Sequence, residues 1–156
     1  MTTNTNNPTG KYASVNGINL YYEIHGTGKP LIMLHGGFGT FEMFTALSPA
    51  LALDHQVIGV DLYGHGRTAI TDRPIRFEQM ADDIASLIHH LGLEKADLLG
   101  YSLGGGLKDA GWNGEHLIPS QLAILPGATH YNIFFRADLL LPVLSPFLDR
   151  KQAMNQ

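Results

Sequence analysis

Leu98-Leu99-Gly100-Tyr101-Ser102-Leu103-Gly104 is the stretch on which the reading of this chain turns. It places Gly-x-Ser-x-Gly directly after the apolar run Ala96-Asp97-Leu98-Leu99. Where a strand turns sharply into a helix with a serine at the apex, the serine backbone is strained. The residues two before and two after it must then be small, so that the chain can fold back beside itself. Gly100 and Gly104 occupy those two positions. The pattern predicts a strand–turn–helix elbow with Ser102 as an exposed nucleophile. The competing reading, a glycine-rich loop with a solvated serine, does not account for the apolar run in front of it.

Upstream of the elbow, strand and helix patterns alternate. Tyr12–Val15 and Ile18–Ile24 flank Asn16-Gly17, the strongest short hairpin signal, and Ile18, Leu20, Tyr22 and Ile24 should share one face. Gly26 to Pro30 reads as a turn. Leu31-Ile32-Met33-Leu34 is a continuous apolar run, as expected of a strand covered on both faces, and His35-Gly36-Gly37-Phe38-Gly39 follows it. The spacing of Phe41, Phe44, Leu47 and Leu51 predicts a helix from about Thr40 to Leu53. Val57–Val60 is a second buried strand, running into the polar glycine loop Asp61 to Arg67. Met80, Ile84, Leu87, Ile88 and Leu91 stripe a helix over about Phe77 to Leu91, with Gly92 placed to cap it.

Downstream the pattern becomes irregular. Leu103 to Ser120 holds three consecutive glycines and few helix formers. Gln121–Leu125 reads as a short buried strand closed by Pro126-Gly127-Ala128-Thr129-His130. Asp138 to Leu148 reads as an apolar helix interrupted by Pro142 and Pro146. The order predicts an α/β class with a mostly parallel sheet and an N-terminal hairpin. The domain organisation expected is a flexible terminus over 1–10, one domain over 11–149 and a polar tail over 150–156.

Composition narrows the chemistry. The 156 residues are 44% hydrophobic and 15% charged, which suits a globular domain with a core. The formal net charge is −4 and no Lys/Arg cluster appears, so neither nucleic acid nor a membrane is an expected partner. The chain has no cysteine, which excludes disulfides, a Cys nucleophile and thiolate metal sites. His89 and His90 are adjacent on a helix and diverge by about 100°; no metal and no cofactor are expected. The first residues are polar and no run approaches the roughly 18 apolar residues of a membrane span, so the expectation is a soluble, cytoplasmic protein.

Ser102 needs a base. Among the eight histidines, His130 lies just beyond the C-terminal end of the last strand pattern. In a parallel sheet that edge is shared with the elbow and is where ligands bind. A histidine there accepts the serine proton and returns it to the leaving group. The oxyanion needs backbone donors: the N–H of Leu103, and that of Gly37 or Phe38 in the glycine loop after Leu34. His35 in that loop reads as a structural hydrogen-bonder.

Taken in order, Leu34-His35-Gly36-Gly37, Asp61-x-x-Gly64-x-Gly66, Gly100-Tyr101-Ser102-Leu103-Gly104 and Gly127-Ala128-Thr129-His130 resemble the α/β-hydrolase superfamily. The similarity runs over about Tyr12 to Gly105 and again over about Ser120 to Leu148. It implies Ser102 as nucleophile, His130 as base, and Gly37/Phe38 with Leu103 as the oxyanion hole. A serine at the apex, where the dehalogenase and epoxide-hydrolase branches carry aspartate, points instead to the esterase and lactonase-like branch. The function implied is a capless serine hydrolase cleaving small carboxylic esters of short acyl chain through an acyl-enzyme on Ser102. The alternative is a catalytically impaired remnant acting as a binding or assembly module.

The chain departs from the family in its middle. Members commonly run to about 250 residues, and what is missing here lies after the elbow: the following helix, two strands, any cap, and the loop bearing the catalytic acid. The join falls in Gly104-Gly105-Gly106, as an internal deletion would leave it. No acid is identifiable. Asp138 and Asp61 are candidates. Asp109 is a third, although about 9 Å down any helix from the elbow. Glu115 precedes the last strand and so falls near the wrong end of the sheet; no acid at all is equally consistent. If Gln121–Leu125 pairs beside Ala96–Gly100, His130 is expected to reach Ser102 directly. Leu139-Leu140-Leu141, Val143, Leu144, Phe147 and Leu148 demand a partner surface, which predicts a homodimer or larger assembly.

Overall fold

A computed structural model describes residues 10–107 and 129–149. In chain order it comprises β1 (Lys11–Val15), β2 (Ile18–His25), β3 (Lys29–Leu34), a 3₁₀ turn (Phe41–Phe44), α1 (Ser48–Leu51), β4 (His55–Val60), α2 (Phe77–His90), β5 (Asp97–Gly100), α3 (Leu103–Gly106), a second 3₁₀ turn (Ile133–Phe135) and α4 (Ala137–Leu148). The five strands form one sheet in the order β1-β2-β4-β3-β5. β1 and β2 pair antiparallel through the Asn16-Gly17 turn, where φ is +46° and +80°, as a two-residue hairpin requires. β2 runs antiparallel to β4, while β4, β3 and β5 are mutually parallel. The mixed α/β sheet matches the order of patterns in the sequence.

The central strands are apolar throughout because both faces are covered. Leu31 and Met33 of β3 and Val57 of β4 point into one core cluster, Ile32, Leu34, Ile58 and Val60 into the other. All seven are essentially inaccessible; each such burial contributes about 1.5–3 kcal/mol. On β2, Ile18, Leu20, Tyr22 and Ile24 share the face towards α2, as their alternation predicts. α2 buries Met80, Ile84 and Leu87. It ends in a Schellman pair, with Gly92 N–H donating to His89 O and Leu93 N–H to Ile88 O.

One helix expectation fails. Thr40 to Leu53 is not a single helix but the 3₁₀ turn Phe41–Phe44 followed by the one-turn α1. Pro49 is the cause. Inside a continuous helix its ring would strike the carbonyl four residues back and it would leave that carbonyl without a donor. The chain restarts so that Pro49 falls in the first turn of α1, where proline is tolerated. Phe41, Phe44, Leu47 and Leu51 still reach one core cluster, so the apolar spacing identified the buried face but not the backbone that presents it.

α4 carries both Pro142 and Pro146 inside its span. Its Leu140, Leu141, Leu144 and Phe147 pack on the same cluster as Leu31 and Met33, and Leu148 is buried. Much of the apolar surface for which the sequence demanded a partner is thus covered from within the chain, although Tyr131 and Phe135 stay exposed. β5 is the outer strand among the described residues, with Leu98 and Leu99 half-buried. The predicted strand Gln121–Leu125, its pairing beside β5, and Asp109 and Glu115 lie outside the described residues. Among the described residues no helix is long and apolar enough to cross a membrane.

Candidate active site

The register fixes where the chemistry gathers. Leu34 pairs with Val60 on one side and Gly100 on the other. The three parallel strands therefore end in a row, and the loops beginning at His35, Asp61 and Tyr101 open on one edge of the sheet.

The elbow has the geometry its sequence predicts. Ser102 sits at φ +50° and ψ −110°, a conformation that costs an L-residue about 1–3 kcal/mol. Surrounding contacts impose it. Tyr101 N–H donates to Leu34 O (3.0 Å), and Gly104 N–H lies 3.1 Å from His35 O and 2.9 Å from Tyr101 O. A Cβ on Gly100 would lie 2.4 Å from Gly104 O, and one on Gly104 would lie 2.2 Å from Leu34 O. Neither position has room for a side chain. Gly36 is also crowded, since a Cβ there would lie 2.7 Å from the Tyr101 ring and 3.3 Å from the Cβ of Ser102.

The expected oxyanion donors lie around this point. Gly37 and Phe38 form the tip of the loop after β3, closed by Gly39 N–H on Gly36 O (3.1 Å), with Phe38 at φ +61°. Leu103 is the first residue of α3, where helix N–H groups have no partner within the helix. The N–H groups of Gly37, Phe38 and Leu103 make no hydrogen bond within the described residues.

A cavity of about 620 Å³ brings Gly37, Tyr101, Ser102 and His130 into one lining. Met43 and Glu42 of the 3₁₀ turn, with Phe134 and Phe135 after His130, line it too. Within the cavity no hydrogen bond joins Ser102 to His130. The imidazole stacks on the Tyr101 ring, centroids 4.8 Å apart and planes inclined by 30°. The expected direct reach from His130 to Ser102 is not made: no hydrogen bond joins the two.

The candidate acids occupy other roles. Asp61 follows β4 on the correct edge, but it is fully buried and both its oxygens are taken. Phe41 N–H donates to Oδ1 (2.9 Å), Arg67 N–H and Nε to Oδ2 (3.0 and 2.7 Å), and Arg67 Nη2 to Oδ1 (3.2 Å). Burial pushes its carboxyl up, but the Arg67 and Phe41 hydrogen bonds outweigh it and hold the group below the usual carboxylate range. Asp61 ties the β4 loop to the 3₁₀ turn and does not hydrogen-bond His130. Asp138, in the first turn of α4, is exposed and forked by Arg136 at 2.9 and 2.8 Å, which keeps its carboxyl low. It too makes no bond to His130. Among the described residues no cluster of three or more His, Asp or Glu is arranged to hold a metal ion.

His35 behaves as the structural hydrogen-bonder the sequence suggested. Completely buried, it pairs through Nδ1 with Gly36 O (2.7 Å), and its Nε2 accepts from Leu62 N–H (2.9 Å). It thereby joins the loops after β3 and β4. Accepting at one nitrogen requires the neutral ring, and burial lowers its pKa from the ordinary histidine value of about 6.5. The sign follows: above that value both folded and unfolded rings are neutral and the full stability is present. As pH falls through it, the unfolded ring takes a proton that the folded ring refuses, and stability is lost until the lower folded value is passed. The loss approaches about 1.4 kcal/mol for each unit by which folding lowers the value. Urea midpoints measured from pH 8 to pH 5 should show the advantage of the wild type over His35→Asn shrinking as pH falls. A constant difference would contradict this assignment.

The sequence did not flag Tyr101 or the ring cluster around it. The central x of Gly-x-Ser-x-Gly carries no pairing information, and the contacts come from residues about thirty positions away. Arg67 was equally unmarked, although a basic residue six positions after a strand-ending aspartate was visible.

The family model described as alpha/beta hydrolase fold matches residues 29–107, more than half of the chain. This chain belongs to the α/β-hydrolase family. Among its relatives is the dihydrolipoyllysine-residue acetyltransferase component of the acetoin cleaving system of Pseudomonas putida. It is 33% identical over 120 residues, 76% of this chain and 32% of that protein. Esterase YbfF of Escherichia coli is 32% identical over 77 residues, 49% of this chain and 30% of that protein. The solved structure of epoxide hydrolase CorEH superposes with a TM-score of 0.62 at 33% identity, covering 64% of this chain and 35% of that one. The chain spans about a third of the length of each of these three proteins.

Proposed function

We propose that this chain is a serine hydrolase of small carboxylic esters. The observation that supports this most strongly is the strained Ser102 elbow, which borders one cavity together with Gly37 and His130. Ser102 Oγ attacks the ester carbonyl as His130 takes its proton. The developing oxyanion is met by N–H groups of Leu103 and of Gly37 or Phe38. His130 passes the proton to the departing alcohol, leaving an acyl group on Ser102. A water molecule, deprotonated by the same histidine, releases the acid and restores the serine. The capless site expected from the sequence would suit short acyl chains, and an acetyltransferase component and an esterase stand among the relatives.

No carboxylate hydrogen-bonds His130 among the described residues, so within them the machinery is a Ser–His pair. Removing the orienting acid from a serine protease costs about 10⁴-fold, yet substantial catalysis remains. Activated esters tolerate such a loss better than amides do. The lack of a hydrogen bond between His130 and Ser102 favours one second reading, an impaired hydrolase that binds ligands without turning them over. A fluorophosphonate probe separates the two. The active reading expects stoichiometric labelling that adds the phosphonyl mass to the Ser102 peptide and is lost in His130→Ala. Absence of labelling in the folded wild type favours the binding module.

A further inference from the structure

We propose that Tyr101 is a positioning residue that orients His130, to which no carboxylate among the described residues hydrogen-bonds; this rests on the reading of His130 as the base. Two contacts from Tyr101 reach the same residue. Its ring stacks on the imidazole at 4.8 Å and 30°, and its hydroxyl donates a hydrogen bond to the His130 backbone carbonyl. One contact fixes the plane of the imidazole; the other fixes the backbone that carries it. Tyr131 also sets its ring edge-on to His130, with centroids 5.8 Å apart at 87°. Tyr101 is itself braced by the edge of Phe134 at 3.8 Å and 77°. Phe134 is buried in the core cluster that also holds Phe44 and Leu31, so the bracing is anchored in the fold.

Sequence position makes this coupling direct. Tyr101 immediately precedes Ser102, and its N–H is held by Leu34 O at the end of β3. The residue that defines the plane of the base thus shares its backbone with the nucleophile, and a shift of one carries the other. A triad acid holds the imidazole by a hydrogen bond and meets the positive charge formed when the serine proton arrives. The Tyr101 ring does part of both tasks. It limits rotation of the imidazole by stacking, and it offers the negative face of its π-system to the new charge. It does not fix the tautomer, so it replaces an acid only in part.

The test combines a spectrum with kinetics. In wild-type protein, nuclear Overhauser contacts are expected between the His130 ring protons and the Tyr101 ring, with the His130 resonances moved upfield by the ring current. In Tyr101→Leu those resonances should return towards ordinary imidazole positions. Its kcat for p-nitrophenyl butyrate, per site titrated with fluorophosphonate, should fall about 3–10-fold, the size of an aromatic pair's contribution. KM should stay within about twofold, because substrate binding is not what is lost. Tyr101→Phe keeps the stacked ring and should recover most of the rate lost in the leucine variant. Lack of the Overhauser contacts in the wild type, or a leucine variant as fast as the wild type, overturns the proposal. If His130→Ala also keeps the full rate, the base assignment itself falls. If only the Tyr101 result fails while His130→Ala is inactive, the base stands and the positioning role alone is lost.

Discussion

Gly104→Ala is expected to lower stability by at least about 3 kcal/mol, at the upper end of overpacking costs. For a chain of this size that corresponds to a fall of roughly 6–12 °C in the melting midpoint. The new Cβ would lie 2.2 Å from Leu34 O and 2.6 Å from Leu34 C. These are backbone atoms of a central strand paired on both sides, so no flexible side chain can move aside. Gly106→Ala is the internal control, since its Cβ would find nothing closer than Phe77 Cε1 at 3.9 Å. It lies in α3, where alanine is favoured over glycine by about 0.5–1 kcal/mol, and should be neutral or stabilising. Gly104 and Gly106 belong to one run of three glycines, and thermal unfolding of the two variants should separate the elbow glycine from its neighbour. Equal midpoints would mean that the elbow is looser than its contacts indicate.

Much of the scaffold is legible in the sequence because its signals are local. Asn16-Gly17 sets a hairpin with its own backbone angles. Leu31–Leu34 is apolar without alternation because both faces are covered. Gly100 and Gly104 mark where two backbones touch. The failure at Thr40 to Leu53 is also local in origin: apolar spacing reports which residues face the core, and Pro49 decides what backbone delivers them. What the sequence does not show is long-range. Asp61 sits on the predicted edge, but only the folded chain shows that Arg67 and Phe41 N–H occupy its carboxylate. His130 is recognisable from its place after a strand pattern, yet its partner in space is Tyr101, and no spacing rule connects the two. The segment from His130 to Phe135 likewise gains meaning only where it meets Tyr101 and Phe44.

Ser102→Ala carries the largest expected effect on activity. Removing the nucleophile of an acyl-transfer site leaves only the contribution of binding and oxyanion donors, and in a serine protease it costs about 10⁶-fold. Here no carboxylate among the described residues hydrogen-bonds His130, and a Ser–His pair of that kind starts from a lower rate, so a loss of at least about 10²-fold, down to the uncatalysed background, is expected. The fold should not suffer. Ser102 is exposed, and alanine keeps the same Cβ at the same strained φ. Ser102→Gly should be more stable than either by up to about 1 kcal/mol, because glycine adopts positive φ without strain. Such opposite movements of stability and activity are what a strained functional residue predicts.

The measurement that tests the account most directly is hydrolysis of p-nitrophenyl acetate and butyrate by the wild type and by Ser102→Ala, purified identically and compared per mole of folded protein. The account predicts turnover by the wild type, with acetate and butyrate both accepted, and a collapse to background in the variant. Equal rates in the two proteins, whether both at background or both above it, would contradict the assignment of Ser102 as the nucleophile.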